Sequence, residues 1–257
     1  MSFILPSPAF PSTSDSDLPE FPASEPSRSP SDGLGRVAFF GRTLADYEDF
    51  FGLSIADLRA DRVLDVGGGT ASFTAEFVAA GGEAVAVDPV YRLRLPAVRV
   101  RARQDFEANR KLLRNHPGRF TLAGVDEVEA LLARRQVAQD RFLADFVAGC
   151  AAGRYRGDAL PRLGFADKSF DRVFCGHFLF LYGEYFSFSF HLAAIREMLR
   201  LARREVRIYP LQTMRNEAYA DLDRILDELP GTVAVRRQPV RSGVLREARE
   251  CLVLSHF

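Results

Sequence analysis

The 257-residue chain carries no surplus of either charge: 34 Lys and Arg balance 34 Asp and Glu. Bulk charge therefore offers no basis for binding nucleic acid or an acidic membrane surface. Cysteine is scarce. Cys150, Cys175 and Cys251 stand far apart, which excludes a disulfide framework or a paired-cysteine zinc site and suits a reducing, cytoplasmic setting. The four histidines, at 116, 177, 191 and 256, form no H-x-x-x-H or H-E-x-x-H spacing, so no metal site is expected. No run of 18 apolar residues occurs, and no membrane-spanning helix is expected. The first basic residue is Arg28 and Pro6 interrupts the short apolar start, so no secretory signal is expected. No internal repeat is visible. What remains is an ordinary globular composition, 47% hydrophobic and 26% charged, sufficient for a core.

Seven of the 14 prolines fall within residues 1–33, among serines and acids. Such a segment buries little, and it is expected to be a disordered tail preceding one domain over residues 34–257.

The most informative stretch runs from Arg62 to Glu76. Val63 to Val66 predicts a buried strand, Gly67, Gly68 and Gly69 a sharp turn, and the residues from about Thr70 a helix. A second apolar strand, Glu83 to Val87, ends on Asp88. Strand, glycine turn, helix, strand and terminal acid make a nucleoside-binding βαβ unit. A turn serving only helix–sheet packing is the alternative, and the acid at the end of the second strand weighs against it. The dinucleotide pattern G-x-G-x-x-G/A does not fit, because Ser72 occupies its third position. Asp65, two residues before the first glycine, would repel a pyrophosphate and suits a ligand that brings positive charge.

Further along, Thr43 predicts a helix N-cap with Leu44, Tyr47, Phe50 and Phe51 on one face, followed by a short helical turn over Ser54 to Leu58. Residues 92–119 are basic, and a solvated helix face is favoured there over a patch for an anion or RNA. Phe120 to Ala123 is expected to be the third strand, and Asp126 to Ala152 a long helix, or two, inserted between the third and fourth. Phe170 to Cys175 predicts the fourth strand, with Gly176 and His177 at its carboxyl end. A helix over His191 to Leu201, a fifth strand over Glu205 to Tyr209 and a helix over Gln212 to Leu229 follow. Thr232 to Val235 and Glu250 to Leu254 complete the set. The expected fold is α/β: a doubly wound, Rossmann-like, seven-stranded sheet, mostly parallel with an antiparallel C-terminal strand.

The pattern Asp65-x-Gly67-x-Gly69 resembles the first motif of Rossmann-like S-adenosylmethionine (SAM) methyltransferases, with Ala71 a mild departure. Leu163, Phe165, Asp167, Ser169, Phe170, Asp171 and Val173 resemble the signature before and on their fourth strand, with Gly164 in place of proline. From about Arg42 onward the chain is similar to a bacterial family of uncharacterised SAM-dependent methyltransferases. The residues that carry this resemblance are Gly41 to Tyr47, the glycine motif, Val87 to Pro89, Cys175 to Tyr182, His191 with Leu192, and Arg204 to Leu211.

The resemblance implies SAM as cofactor. Asp65 and the backbone of Gly67, Gly68 and Gly69 would hold its methionine part, and Asp88 its ribose. Pro89, Val90 and Tyr91 would lie at the adenine, whose amino group would go to Asp126 or, preferred, Asp158. Cys175 is placed among the cofactor-binding residues by position at the fourth strand's end. As a residue type it reads as a small buried apolar side chain, and it does not resemble the cytosine-C5 nucleophile, since Phe174 and not proline precedes it.

His177 is the candidate general base or substrate contact, weighed evenly against a histidine that supports the turn. His191 is expected to be structural. The Asn/Asp-Pro-Pro-Tyr motif of base-amino methyltransferases is missing, so a small-molecule acceptor is favoured over nucleic acid. A SAM-binding interaction protein and, behind it, a nicotinamide-dependent oxidoreductase are the alternatives.

Overall fold

A computed structural model describes residues 36–122, 124–241 and 244–256. The expected tail, residues 1–33, lies outside them.

The sheet is built from β1 (Arg62–Val66), β2 (Glu83–Val87), β3 (Tyr155–Arg156), β4 (Phe170–Gly176), β5 (Ala202–Tyr209), β6 (Val233–Pro239) and β7 (Glu250–His256). Their spatial order is β3-β2-β1-β4-β5-β7-β6. β1 to β5 run parallel, and β7 enters antiparallel between β5 and β6. This is the Rossmann-like methyltransferase sheet that the sequence leads one to expect. β1 and β2 are buried on both faces from their second residue onward. Continuous apolar runs such as Glu83 to Val87 therefore mark them, where a one-sided strand would alternate.

Seven helices accompany the sheet among the described residues: α1 (Leu44–Phe51), α2 (Ile55–Leu58), α3 (Phe73–Ala79), α4 (Leu95–Asn115), α5 (Val125–Ala151), α6 (Phe188–Leu201) and α7 (Leu222–Asp227). α1 starts where expected. Thr43 and Asp46 form a reciprocal capping box, and Gly52 ends the helix in the left-handed region at φ 59°. Its Tyr47, Phe50 and Phe51 are buried. Tyr47 stacks on Phe73 of α3 at 4.2 Å, and Phe51 on Phe174 of β4 at 4.6 Å. Burying three such rings contributes roughly 5–8 kcal/mol of transfer free energy as an upper figure. That anchors α1, and the segment leading into it, against the sheet.

Two expectations are corrected. Of the expected third strand, the described residues Phe120 to Leu122 form no strand: Phe120 makes an isolated antiparallel bridge to Leu245. The third strand is Tyr155–Arg156, paired with Ala86 and Val87 of β2. The inserted helix α5 consequently lies, with α4, between β2 and β3, not between the third and fourth strands. A two-residue edge strand buries too little to leave an apolar run, so periodicity could not mark it. The helix expected over Gln212 to Leu229 shrinks to Leu222–Asp227. The residues that suggested it, Leu222, Ile225 and Leu226, sit in its second half. Residues 212–218 instead close a small bridge, with the Thr213 hydroxyl accepting from the Arg215 N–H.

Candidate active site

The carboxyl ends of β1, β2 and β4 meet at one edge of the sheet and bring together most of the residues singled out above. The glycine turn leaves β1 with Gly67 at φ 71° and Gly69 at φ 51°, a conformation in which a side chain would be strained. The N–H groups of Gly67 and Gly68 both donate to the Val87 carbonyl, at 2.9 and 3.3 Å, which ties the turn to the end of β2. A Cβ on Gly68 would come 2.8 Å from the Tyr91 hydroxyl and 2.9 Å from Asp65 Oδ2. Only glycine permits this approach.

Asp65 is 1% exposed. Its two oxygens accept from one donor, the Tyr47 hydroxyl, at 2.9 Å each. Asp88 accepts from the Val90 N–H at 2.9 Å and the Gly69 N–H at 3.1 Å. Among the described residues neither carboxylate stands in a salt bridge. Burial pushes the Asp65 carboxyl up to about 7, with the neighbouring Asp88 charge adding to it. It pushes Asp88 to about 6 against its two backbone donors. Arg42 and Arg101 act on them only from a distance; two buried acids with hydrogen-bond donors but no cation in contact suit a ligand that supplies positive charge and hydroxyl groups.

Pro89 opens a 3₁₀ turn capped by Asp88, and Val90 is buried within it. Tyr91 turns inward. Its hydroxyl donates to the Gly69 carbonyl at 2.8 Å, and its ring packs among Phe142, Phe146 and Tyr155. It buttresses the turn from beneath instead of facing an adenine. Asp158 follows β3 directly and pairs with Arg156 at 2.8 Å. Asp126 sits exposed in the first turn of α5, so of the two acids only Asp158 stands at the end of a strand. Cys175 is fully buried within β4, and burial pushes its thiol up to about 12, the behaviour of a packed side chain and not of a nucleophile.

His177 is the first residue past β4, in the left-handed region at φ 55°. Its N–H donates to the Tyr209 carbonyl at 2.5 Å, and its ring lies edge-on between Phe50 and Tyr209. Its Nδ1 is buried without a partner. Burial first, then the Arg42 and Arg135 charges, hold its pKa well below the usual histidine range. The imidazole is therefore neutral at physiological pH. NMR of the ring is expected to show no titration near pH 6.5, where a free histidine changes charge; a midpoint there would show that the ring is solvated. Phe178, the next residue, covers the glycine turn: a Cβ on Gly67 would come 3.0 Å from Phe178 Cβ.

His191 contacts the carbonyls of Ser187 and Leu179 at 2.8 and 3.1 Å, a structural role. In the basic stretch, Arg110 and Arg114 are paired with Glu107 and Glu129 on an exposed face, whereas Arg101 and Arg36 pair with Asp105, which is buried against the segment before α1. No group of side chains among the described residues could hold a metal ion.

Three residues of this region gave no functional signal in the reading above. Tyr47 reads from its spacing as part of the apolar face of α1, yet its hydroxyl holds Asp65. Arg42 appeared only inside a motif. Arg135 could have been found, because it falls on the buried stripe of α5 that runs Leu131, Leu132, Ala138, Phe142. A charge on an apolar stripe signals a partner or a ligand.

No protein-family model matches the chain. It is 30% identical over 196 residues to the uncharacterized protein MJ0045 of Methanocaldococcus jannaschii, covering 76% of this chain and 87% of that protein. Among solved structures it resembles the SAM-bound magnesium protoporphyrin IX methyltransferase of Synechocystis PCC 6803, at 16% identity and a TM-score of 0.40 over 79% of this chain and 73% of the other. It also resembles TrmN from Thermus thermophilus, at 17% identity and a TM-score of 0.44 over 88% and 52%. The M. jannaschii relative is archaeal, so the family is not confined to bacteria. With its 3-2-1-4-5-7-6 sheet, the chain belongs to the family of MJ0045, on the Rossmann-like fold of the SAM-dependent methyltransferases.

Proposed function

We propose that this protein transfers a methyl group from SAM to a small-molecule acceptor in the cytoplasm. The observation that carries this reading is the pair of buried, cation-free carboxylates, Asp65 and Asp88, on either side of the glycine turn. Asp65 would compensate the cationic side of the cofactor, Asp88 would take the ribose hydroxyls, and Asp158 the adenine amino group. Pro89, Val90 and Cys175 would shape the wall. Bound SAM supplies a methyl carbon activated by a sulfonium.

The chain's own contribution is to orient and to exclude water. Phe178 and Phe39 lie against the glycine turn, since a Cβ on Gly69 would come 2.8 Å from Phe39; both would shield a bound ligand from solvent. His177, with Nδ1 unpartnered, would contact the acceptor, and would take its proton only if the bound ligand offsets the burial and arginine charges that depress its basicity. The Tyr209 carbonyl holds the His177 backbone N–H, and the Phe50 and Tyr209 rings pack the imidazole.

Calorimetric titration with SAM and with its demethylated product tests the cofactor, and binding by neither would sink the proposal. Turnover of methyl-labelled SAM against a metabolite extract then separates an enzyme from a SAM-binding interaction protein, which would hold label without transferring it.

A further inference from the structure

Beside His177 a small chamber of about 60 Å³, open to solvent, lies between α4, α5 and the segment before α1. Its walls are apolar: Leu112, Leu113, Phe120, Leu181 and Leu245. Two arginines, Arg42 and Arg135, also line it. Arg135 is 1% exposed and Arg42 is half-buried, and each has its Nε buried without a partner. The close approach of backbone to backbone puts them together: a Cβ on Gly41 would come 2.8 Å from the Arg135 carbonyl oxygen. Arg42 spends one Nη1 bond on the Phe40 carbonyl, at 2.7 Å. Arg135 pairs through Nη1 with Asp46, which is also occupied by the Thr43 N–H and hydroxyl at 2.8 and 2.9 Å.

Two guanidinium charges against one carboxylate leave one positive charge at the chamber, and no carboxylate lines it among the described residues. A desolvated positive charge with free donors is costly unless an anion completes it. An apolar pocket with a few convergent polar groups has the make-up of a site for part of a small molecule.

We propose that the chamber binds a small apolar molecule bearing a single carboxylate, which Arg42 and Arg135 hold while the hydrocarbon part lies on the leucine walls. This deepens the methyltransferase reading and rests on it only for the statement that such an acid is the methyl acceptor; the binding itself does not. The one net charge favours a carboxylate over a dianionic phosphate. Consistently, burial and the proximity of Arg135 push the Arg42 guanidinium down to about 10, a strain that a bound anion relieves. The acid end would then be fixed relative to His177, which lines the same chamber.

The test is calorimetric binding of straight-chain carboxylates from butanoate to dodecanoate and of 3-phenylpropanoate to the full chain, each compared with its primary amide. At least one carboxylate is expected to bind about tenfold or more tightly than its amide, as one charge-assisted contact contributes. Arg42→Gln should abolish that preference, and Arg42→Lys should keep most of it. Arg42 is chosen because Arg135→Gln would strand Asp46 and could unfold the protein. Carboxylate and amide binding alike, binding by none of the acids, or an Arg42→Gln protein that is folded by circular dichroism and retains the preference, would each overturn the proposal. The titration of the wild type with the demethylated cofactor is run in parallel. If it fails while the acids bind, the methyltransferase reading falls and the carboxylate site stands.

Discussion

Asp65→Asn is expected to melt at a higher temperature than the wild type at pH 8 while losing its affinity for SAM and its demethylated product. The Asp65 carboxyl lies at about 7 in the folded protein against 3.8 for the unperturbed group. The folded state therefore holds this proton more tightly than the unfolded state. The resulting stability is fully present below about pH 4 and is lost as pH rises through the 4–7 window, so above pH 7 the full penalty is felt. A displacement of roughly three units corresponds to about 4 kcal/mol. The Tyr47 hydroxyl and the Arg42 charge already hold the carboxyl down to that level against burial.

Asparagine keeps the shape and can still accept from Tyr47, but it carries no charge to desolvate. For a domain of this size the gain corresponds to on the order of 10 °C in melting temperature. At pH 5 less than half of it should remain, because the wild-type carboxyl is then mostly protonated. Scanning calorimetry at pH 8 and pH 5, with a ligand titration at pH 8, reads both halves of the expectation. An asparagine variant less stable at pH 8, or one that binds the demethylated cofactor as the wild type does, would show that Asp65 is merely a structural acid.

The largest loss of stability is expected from Arg172→Met, at the other end of the same sheet. Arg172 of β4 pairs with Asp61 just before β1 and with Glu205 of β5. Arg204 reaches Asp61 at 2.7 Å, and Arg207 reaches Glu205 at 2.8 Å and also the Phe51 carbonyl. Asp61, Arg172 and Arg207 are all buried. Here three guanidinium groups compensate two carboxylates, in contrast to the cation-free acids at the glycine turn. Removing Arg172 leaves Asp61 and Glu205 short of their central partner in low dielectric, which costs about 3–5 kcal/mol.

Urea denaturation should show the midpoint falling by that equivalent with an unchanged slope. Adding Asp61→Asn and Glu205→Gln to Arg172→Met should recover most of the loss, because the uncompensated charges are then gone. Affinity for the demethylated cofactor should not change in the protein that remains folded. A loss below about 1 kcal/mol would mean that water reaches the network.

These two clusters also show what was legible before the structure. Residues 62–88 could be read in full: strand, glycine turn, helix, strand and acid are consecutive, and each step is dictated by local chemistry. Apolar runs pair as buried strands, left-handed φ values select glycine, and the acid follows the last strand residue. His177 at the end of β4 was found in the same way. β3 was not, because two residues at a sheet edge leave no pattern, and misplacing it moved the helical insertion by one strand.

The sequence by itself therefore determined six of the seven strands, the glycine motif and the strand end where His177 stands, since each depends on near neighbours. Only the tertiary structure decided which charges are compensated. Whether an aspartate faces a tyrosine hydroxyl, as Asp65 does across 18 residues, or an arginine, as Asp61 does across 111, depends on which elements meet. The same holds for Arg42 and Arg135, which belong to one chamber because Gly41 lets the segment before α1 lie directly on the backbone of α5.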